Sequence, residues 1–335
     1  MTNTKFKTPP NTQNPSGEER KVGYEFEFTG IEMDVVSELI KALYGGEIIQ
    51  VSAFEFEVSG TEFGTFSLEL DAQLLRDKKY EKVLNSMGID LTKLKNINSI
   101  EDSLKDMASS VVPFEIITPP LPISKMDALD RLVDGLRRHK AKGTGSSFMY
   151  AFGLHINPEI TDDSAQSLLN HLRAYVMLDP WIRKDSRINM SRRITPYINE
   201  YKEEYIKHIL RPDYNPGLKL LIGDYFRFEN SRNRPLDMLP VFMHLHQEHT
   251  SMLIEEELTS ARPTYHYRLP NCSLEDESWS PADEWNRWVL VEQMASDEKV
   301  LDQYSRAWLR MKSDTIIRFE TKWIELINRW KDEIN

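Results

Sequence analysis

The chain has 335 residues, 40% hydrophobic, 28% charged and 10% aromatic, a globular composition with room for one large or two modest domains. Its net charge of −11 argues against a nucleic acid or an anionic membrane as the main partner. The single cysteine, Cys272, rules out an intramolecular disulfide, a thiolate zinc site and a CxxC redox pair. Residues 1–20 are rich in Thr, Asn, Pro and Ser, lack an apolar core, and read as a disordered tail rather than a signal peptide. No stretch is apolar for the roughly 18 residues a membrane span needs, and the expected location is cytoplasmic.

The first predicted element is a strand over 21–29, in which Tyr24, Phe26 and Phe28 share one face and Glu25 and Glu27 the other. The aromatic face can anchor it in a core, and the two carboxylates on the opposite face can hold a hard divalent cation. A helix follows over 34–44 and stops at Gly45-Gly46. Two alternating runs, 47–58 and 65–71, flank a predicted turn at Ser59-Gly60, and the second sets Glu69 and Asp71 against Phe66, Leu68 and Leu70. A polar, partly helical stretch covers 72–108. An apolar strand over 111–120 ends at Pro119-Pro120, and a crossing helix is predicted over 124–140. The glycines of 142–147 lack the GK[ST] element of a phosphate loop and read as a turn. A strand over 147–157 carries His155. From 162 onward helices dominate, with one predicted strand at 224–229. The 261–281 segment reads as a loop, and 282–334 as two long helices whose Trp285, Trp288, Trp308, Trp323 and Trp330 pack a core. The organisation expected is a tail (1–20), a catalytic domain (21–240) and a helical extension (241–335).

Glu115 is the sharpest single signal. It interrupts Val111, Val112, Phe114, Ile116 and Ile117, a run that reads as buried on both faces. An ionised carboxylate there costs several kcal/mol unless it is paired or binds metal. His155 and Asn157 alternate with Leu154 and Ile156, and imidazole is a common metal ligand. An oxygen-rich set with one His suits Mg²⁺ or Mn²⁺ better than zinc. Opposite charge comes from Arg232 and Arg234, in a polar loop closed by Pro235, and from the basic run 183–193. Arginine forks suit carboxylate and phosphate groups. His244, His246 and His249 lack an HExxH pattern and read as helix surface, and Cys272 has no neighbouring activator.

With these residues assembled, the chain resembles the amidoligase family, relatives of glutamate–cysteine ligase and glutamine synthetase. The motifs are Gly23-Tyr24-Glu25-Phe26-Glu27, the acidic strand Ser67-Leu68-Glu69-Leu70-Asp71, Glu115-Ile116-Ile117-Thr118-Pro119, Gly153-Leu154-His155-Ile156 and Glu229-Asn230-Ser231-Arg232. The resemblance spans 21–240 and implies an α+β, glutamine-synthetase-like fold: a curved, mostly antiparallel sheet with flanking helices and a helical C-terminal region. It further implies metal ligation by Glu25, Glu27, Glu115, His155 and Glu229, with Glu69 or Asp71 completing the set. Phosphate contact is implied for Arg232 or Arg234, and nucleotide contact for Arg192, Arg193 and Tyr197. The implied chemistry is ATP-dependent joining of a carboxylate to an amine, on small-molecule or peptide substrates, with Mg²⁺ or Mn²⁺. A metal-dependent amide or phosphoester hydrolase and an inactive interaction protein on the same scaffold are the competing readings. A homo-oligomer is compatible with the sequence.

Overall fold

The computed structural model describes residues 4–52, 55–70, 114–143, 152–188, 198–228, 230–253, 260–314 and 318–334. The expected site residues Asp71, Arg192, Arg193, Tyr197 and Glu229 lie outside the described residues, as do the polar stretch 72–108 and residues 144–147 of the expected turn. Among the described residues the strands are β1 (Lys21–Phe28), β2 (Glu47–Ser52), β3 (Glu55–Thr61), β4 (Gly64–Leu70), β5 (Phe114–Ile117), β6 (Leu121–Pro122), β7 (Leu154–Pro158), β8 (Leu236–Asp237) and β9 (His266–Tyr267). They form one open, mostly antiparallel sheet in the order β2-β3-β4-β5-β1-β7-β9-β8, with β6 paired to β1. The fold is α+β, as expected.

One compact unit holds 23–154 and 271–281. The predicted alternation of β1 is present: Val22, Tyr24, Phe26 and Phe28 are fully buried, while Glu25 and Glu27 take the opposite face. Helix α1 (Met33–Tyr44) packs on β3 and β4 through Met33, Val36, Ile40 and Tyr44, spaced three or four residues apart. The Tyr44 ring stacks on Phe66 at 5.3 Å, and its hydroxyl donates to the Ala128 carbonyl at 2.7 Å. Burying a large apolar side chain of this kind contributes about 1.5–3 kcal/mol. The helix stops where expected, at Gly45 (φ 78°), whose N–H returns to the Lys41 carbonyl. Gly46 (φ 90°) tolerates no side chain, because a Cβ would stand 2.4 Å from the Ser59 carbonyl oxygen. Helix α2 (Ala128–Arg138) buries Leu129, Leu132, Val133 and Leu136.

Two expectations change in this unit. Ser59-Gly60 is not a turn: β3 continues to Thr61, and Gly60 (φ 70°) sits where the register shifts between Val58 and Thr61. The chain reverses one step later, where the Thr61 hydroxyl accepts from the N–H groups of Phe63 and Gly64. Strand β5 is buried on one face only, because Phe114 and Ile116 are buried and Glu115 and Ile117 half-buried.

The second unit holds 4–22, 155–270 and 282–334. Its axis is α3 (Ala165–Asp185), which starts at Ser164, whose hydroxyl accepts from Ser167 N–H. Around it pack α4 (Glu203–Ile209), α5 (Leu218–Arg227), α9 (Glu298–Asp314) and α10 (Phe319–Ile334). Helices α6 (Leu239–Leu245), α7 (Gln247–Ser251) and α8 (Pro281–Ser296) complete the described set. The tryptophans named from the sequence are buried as a helix-packing core, and Trp323 Nε1 donates to the Met177 carbonyl at 2.7 Å. There are three terminal helices instead of two: the chain breaks at Asp297, whose carboxylate accepts from Lys299 and Val300 N–H. Residues 224–227 of the strand expected at 224–229 are instead the end of α5, where burial of Leu221, Ile222, Asp224 and Tyr225 follows helical spacing. The 261–281 segment contains β9.

Residues 4–20, expected to be a disordered tail, are held within this unit. Arg20 pairs with both Glu292 oxygens at 2.8 and 2.7 Å, Trp285 Nε1 donates to the Lys7 carbonyl, and Asn14 donates to Glu159. Among the described residues no helix is long and apolar enough to cross a membrane.

Candidate metal centre

The polar face of the sheet carries glutamates in direct register. Glu55 of β3 stands opposite Glu69 of β4, Glu69 opposite Glu115 of β5, and Glu115 opposite Glu27 of β1. Directly opposed side chains on antiparallel strands have Cβ atoms about 4.5–5.5 Å apart, and like charges so placed destabilise the sheet. A line of carboxylates over adjacent strands concentrates negative charge where a cation can lie. The neighbouring row is different: Glu25 is opposite Ile117, which is opposite Ser67. Glu25 is buried, and Glu27, Glu69 and Glu115 are half-buried. Glu27 Oε2 accepts from Gly153 N–H at 2.5 Å, a bond that fixes the carboxylate at one end of the row.

A second polar cluster belongs to β7, β8 and β9. Ile156 pairs with Tyr267, and Asp237 with His266. His155 and His266 rings meet edge to face at 5.2 Å, and both are buried. His266 Nδ1 lies 3.3 Å from the Asp237 carboxylate, whose other oxygen accepts from Leu239 N–H. A carboxylate on one ring nitrogen orients the imidazole, the support typical of a histidine that ligates metal through its other nitrogen. In the first unit Glu25, Glu27 and Glu115 lie on the polar face of β1 and β5, and in the second the imidazoles of His155 and His266 stand together. The glutamate row, rich in oxygen donors, suits a hard divalent cation such as Mg²⁺ or Mn²⁺, whereas two imidazoles beside a carboxylate also suit zinc.

Among the expected site residues, Glu25, Glu27, Glu69 and Glu115 share the polar face of adjacent strands in the first unit, and His155 is buried beside His266 in the second. Glu55, His266 and Asp237 went unnoticed in the sequence. A signal for His266 was present: Tyr265, Tyr267 and Leu269 alternate with His266 and Arg268, a strand pattern masked by Pro263 and Pro270. Arg234 is buried, with Nη1 donating to the carbonyls of Asn199 and Glu200 and its guanidinium 5.7 Å from the Tyr201 ring centre. The Arg232 carbonyl accepts from Arg268 Nη1 at 2.7 Å. The histidines 244, 246 and 249 sit at the α6–α7 junction, with His246 and His249 rings 5.5 Å apart, and Cys272 is buried.

No curated protein and no solved structure matches the chain. One family model, described as a putative amidoligase enzyme, matches residues 18–290. That match encloses the glutamate row, His155 and His266, and the chain belongs to the amidoligase family.

Proposed function

We propose that the protein is an ATP-dependent carboxylate–amine ligase of glutamine-synthetase-like fold, working in the cytoplasm on small-molecule or peptide substrates. The observation that supports this most is the in-register row Glu55, Glu69, Glu115 and Glu27, a concentration of oxygen donors that suits cations. Family membership supports amide formation. Glu25, Glu27, Glu69, Glu115 and His155 would hold Mg²⁺ or Mn²⁺, and His266 would add a ligand oriented by Asp237. The resemblance adds Asp71 and Glu229 to the ligands and Arg192, Arg193 and Tyr197 to the nucleotide contacts. Bound cations would neutralise charge on the phosphates of ATP.

A substrate carboxylate attacks the γ-phosphorus and ADP leaves, giving an acyl phosphate. An amine then displaces inorganic phosphate, gives up a proton and forms the amide. Alignment of the reactants and charge stabilisation supply most of the rate. The chain's part is to hold the acid row in fixed register, with Gly153 N–H fixing Glu27. Arg232 and Arg234 are the proposed phosphate contacts.

The test is ADP release screened over amino acids and amines, with mass detection of the product. Glu27→Gln is expected to abolish amide formation in a chain that stays folded. Undiminished turnover in that variant, or metal-dependent amide cleavage without ATP, would contradict the proposal.

A further inference from the structure

Strand β2 ends the sheet in the first unit: β3 lies on one side of it, and among the described residues no strand lies on the other. An open edge presents main-chain N–H and C=O groups to which a further strand can bond. Proteins guard such edges by keeping them short or by placing proline or lysine on them. The terminal strand β8 follows this rule, with two residues, both buried. Strand β2 does not. It runs for six residues, Glu47-Ile48-Ile49-Gln50-Val51-Ser52, without proline or a basic residue. A register shift between Gln50 and Ser52 leaves residues 47–50 as the regular part of the edge. Ile49 is 47% exposed and Val51 51%, and no other described strand exposes a large apolar side chain.

The pairing with β3 defines the face around Ile49. Ile49 stands opposite Glu57, Glu47 opposite Ser59 and Ser52 opposite Glu55. Opposed residues share a face, and so do alternate residues of one strand. Ile49 therefore shares its face with Glu47, Glu55 and Glu57. Strands β2, β3 and β4 contain no lysine or arginine to offset these charges.

The charge decides between occupants. A second copy of the chain, joined edge to edge, would add three like carboxylates to these three, and like charges on neighbouring strands repel. A basic segment meets opposite charge instead. A lysine on an added strand lays its methylene stem along Ile49 and turns its ammonium toward Glu47 or Glu57. We propose that β2 is the docking edge for an extended segment of a partner protein, with lysine or arginine at every second position. Main-chain hydrogen bonds to residues 47–50 hold the segment, and its basic side chains face the three glutamates. Binding needs neither ATP nor a divalent cation.

The experiment is calorimetric titration of the full chain, in a metal chelator and without ATP, with three acetylated and amidated hexapeptides. The first alternates lysine and valine, the second alternates glutamate and valine, and the third has three lysines followed by three valines. Saturable one-to-one binding of the first is expected. The glutamate peptide is expected to bind about tenfold more weakly or less, because its charge is reversed. The block peptide is expected to lose a similar factor, because it keeps the charge but not the alternation a strand requires. Ile49→Lys, which places a positive charge on the edge, is expected to weaken the first peptide by about tenfold or more. No saturation by the first peptide at millimolar concentration overturns the proposal, as does equal binding of the block peptide. A dimer of the unaltered chain in sedimentation that Ile49→Lys dissolves overturns it in favour of a second copy. If Ile49→Lys does not fold, the peptide series on the unaltered chain decides by itself.

Discussion

Glu115 stands at the centre of the acid row, with Glu69 on one side and Glu27 on the other. Like charges placed directly opposite repel across the strands. Glu115→Gln removes charge from two such pairs at once and leaves the side-chain shape nearly unchanged. Mn²⁺ is therefore expected to raise the urea midpoint of the unaltered chain more than that of the variant. An equal rise in the two proteins would remove Glu115 from the cation site. Arg20 behaves in the opposite way. It is fully buried, and it offers two donors to Glu292, which also accepts from Trp288 Nε1 at 2.6 Å. Arg20→Ala strands a buried carboxylate, and urea unfolding should show a loss of about 3–5 kcal/mol. Both residues also mark the limits of reading from sequence. Alternation along 21–29 made the Glu25/Glu27 face legible, because period two has one structural solution there. The partner of Arg20 lies 272 residues away, and no local pattern in the polar first 20 residues announces it.

Among the elements, α3 carries a titration. His171 is fully buried in it, with Nδ1 2.8 Å from the Ser167 carbonyl and its ring stacked 4.9 Å from Tyr265. Burial pushes its pKa below the ordinary 6.5, while the nearby Glu292 carboxylate pulls the other way. The folded protein therefore keeps His171 neutral, whereas the unfolded chain takes up a proton as pH falls past about 6.5. Stability from this group is present in full above the unfolded value and is lost as pH falls toward the depressed folded value. His171→Gln is expected to flatten the fall in urea midpoint between about pH 7 and pH 5. An unchanged slope would remove His171 as its source.

The elements also show where period reading succeeds and fails. Helix α1 was legible to its end because its apolar spacing and its glycine stop agree. At 224–229, six residues alternate like a strand, but the preceding Leu221 and Ile222 set a helical face that the longer window obeys. Around the two residues of strand β9 the alternation from Tyr265 to Leu269 was present, but Pro263 and Pro270 on its flanks made the segment read as a loop. Gly60 looked like a turn because glycine marks both turns and bulges, and only the register distinguishes them.

At the scale of the whole molecule, the motifs Glu25/Glu27, Glu115 and His155 are far apart in sequence, and their order and spacing along the chain made the family recognisable before the fold was known. Strand order was not legible, since cross-strand pairing depends on long-range contacts. For the same reason Glu55 was hidden: it joins the row only through its register with Glu69. The most direct test of the cation-holding row is calorimetric titration of Mn²⁺ into the full chain, unaltered and as Glu115→Gln. Saturable binding that weakens at least tenfold in a variant that remains folded is the expected result. Equal Mn²⁺ affinity in the two proteins, or no binding to the unaltered chain, would contradict it.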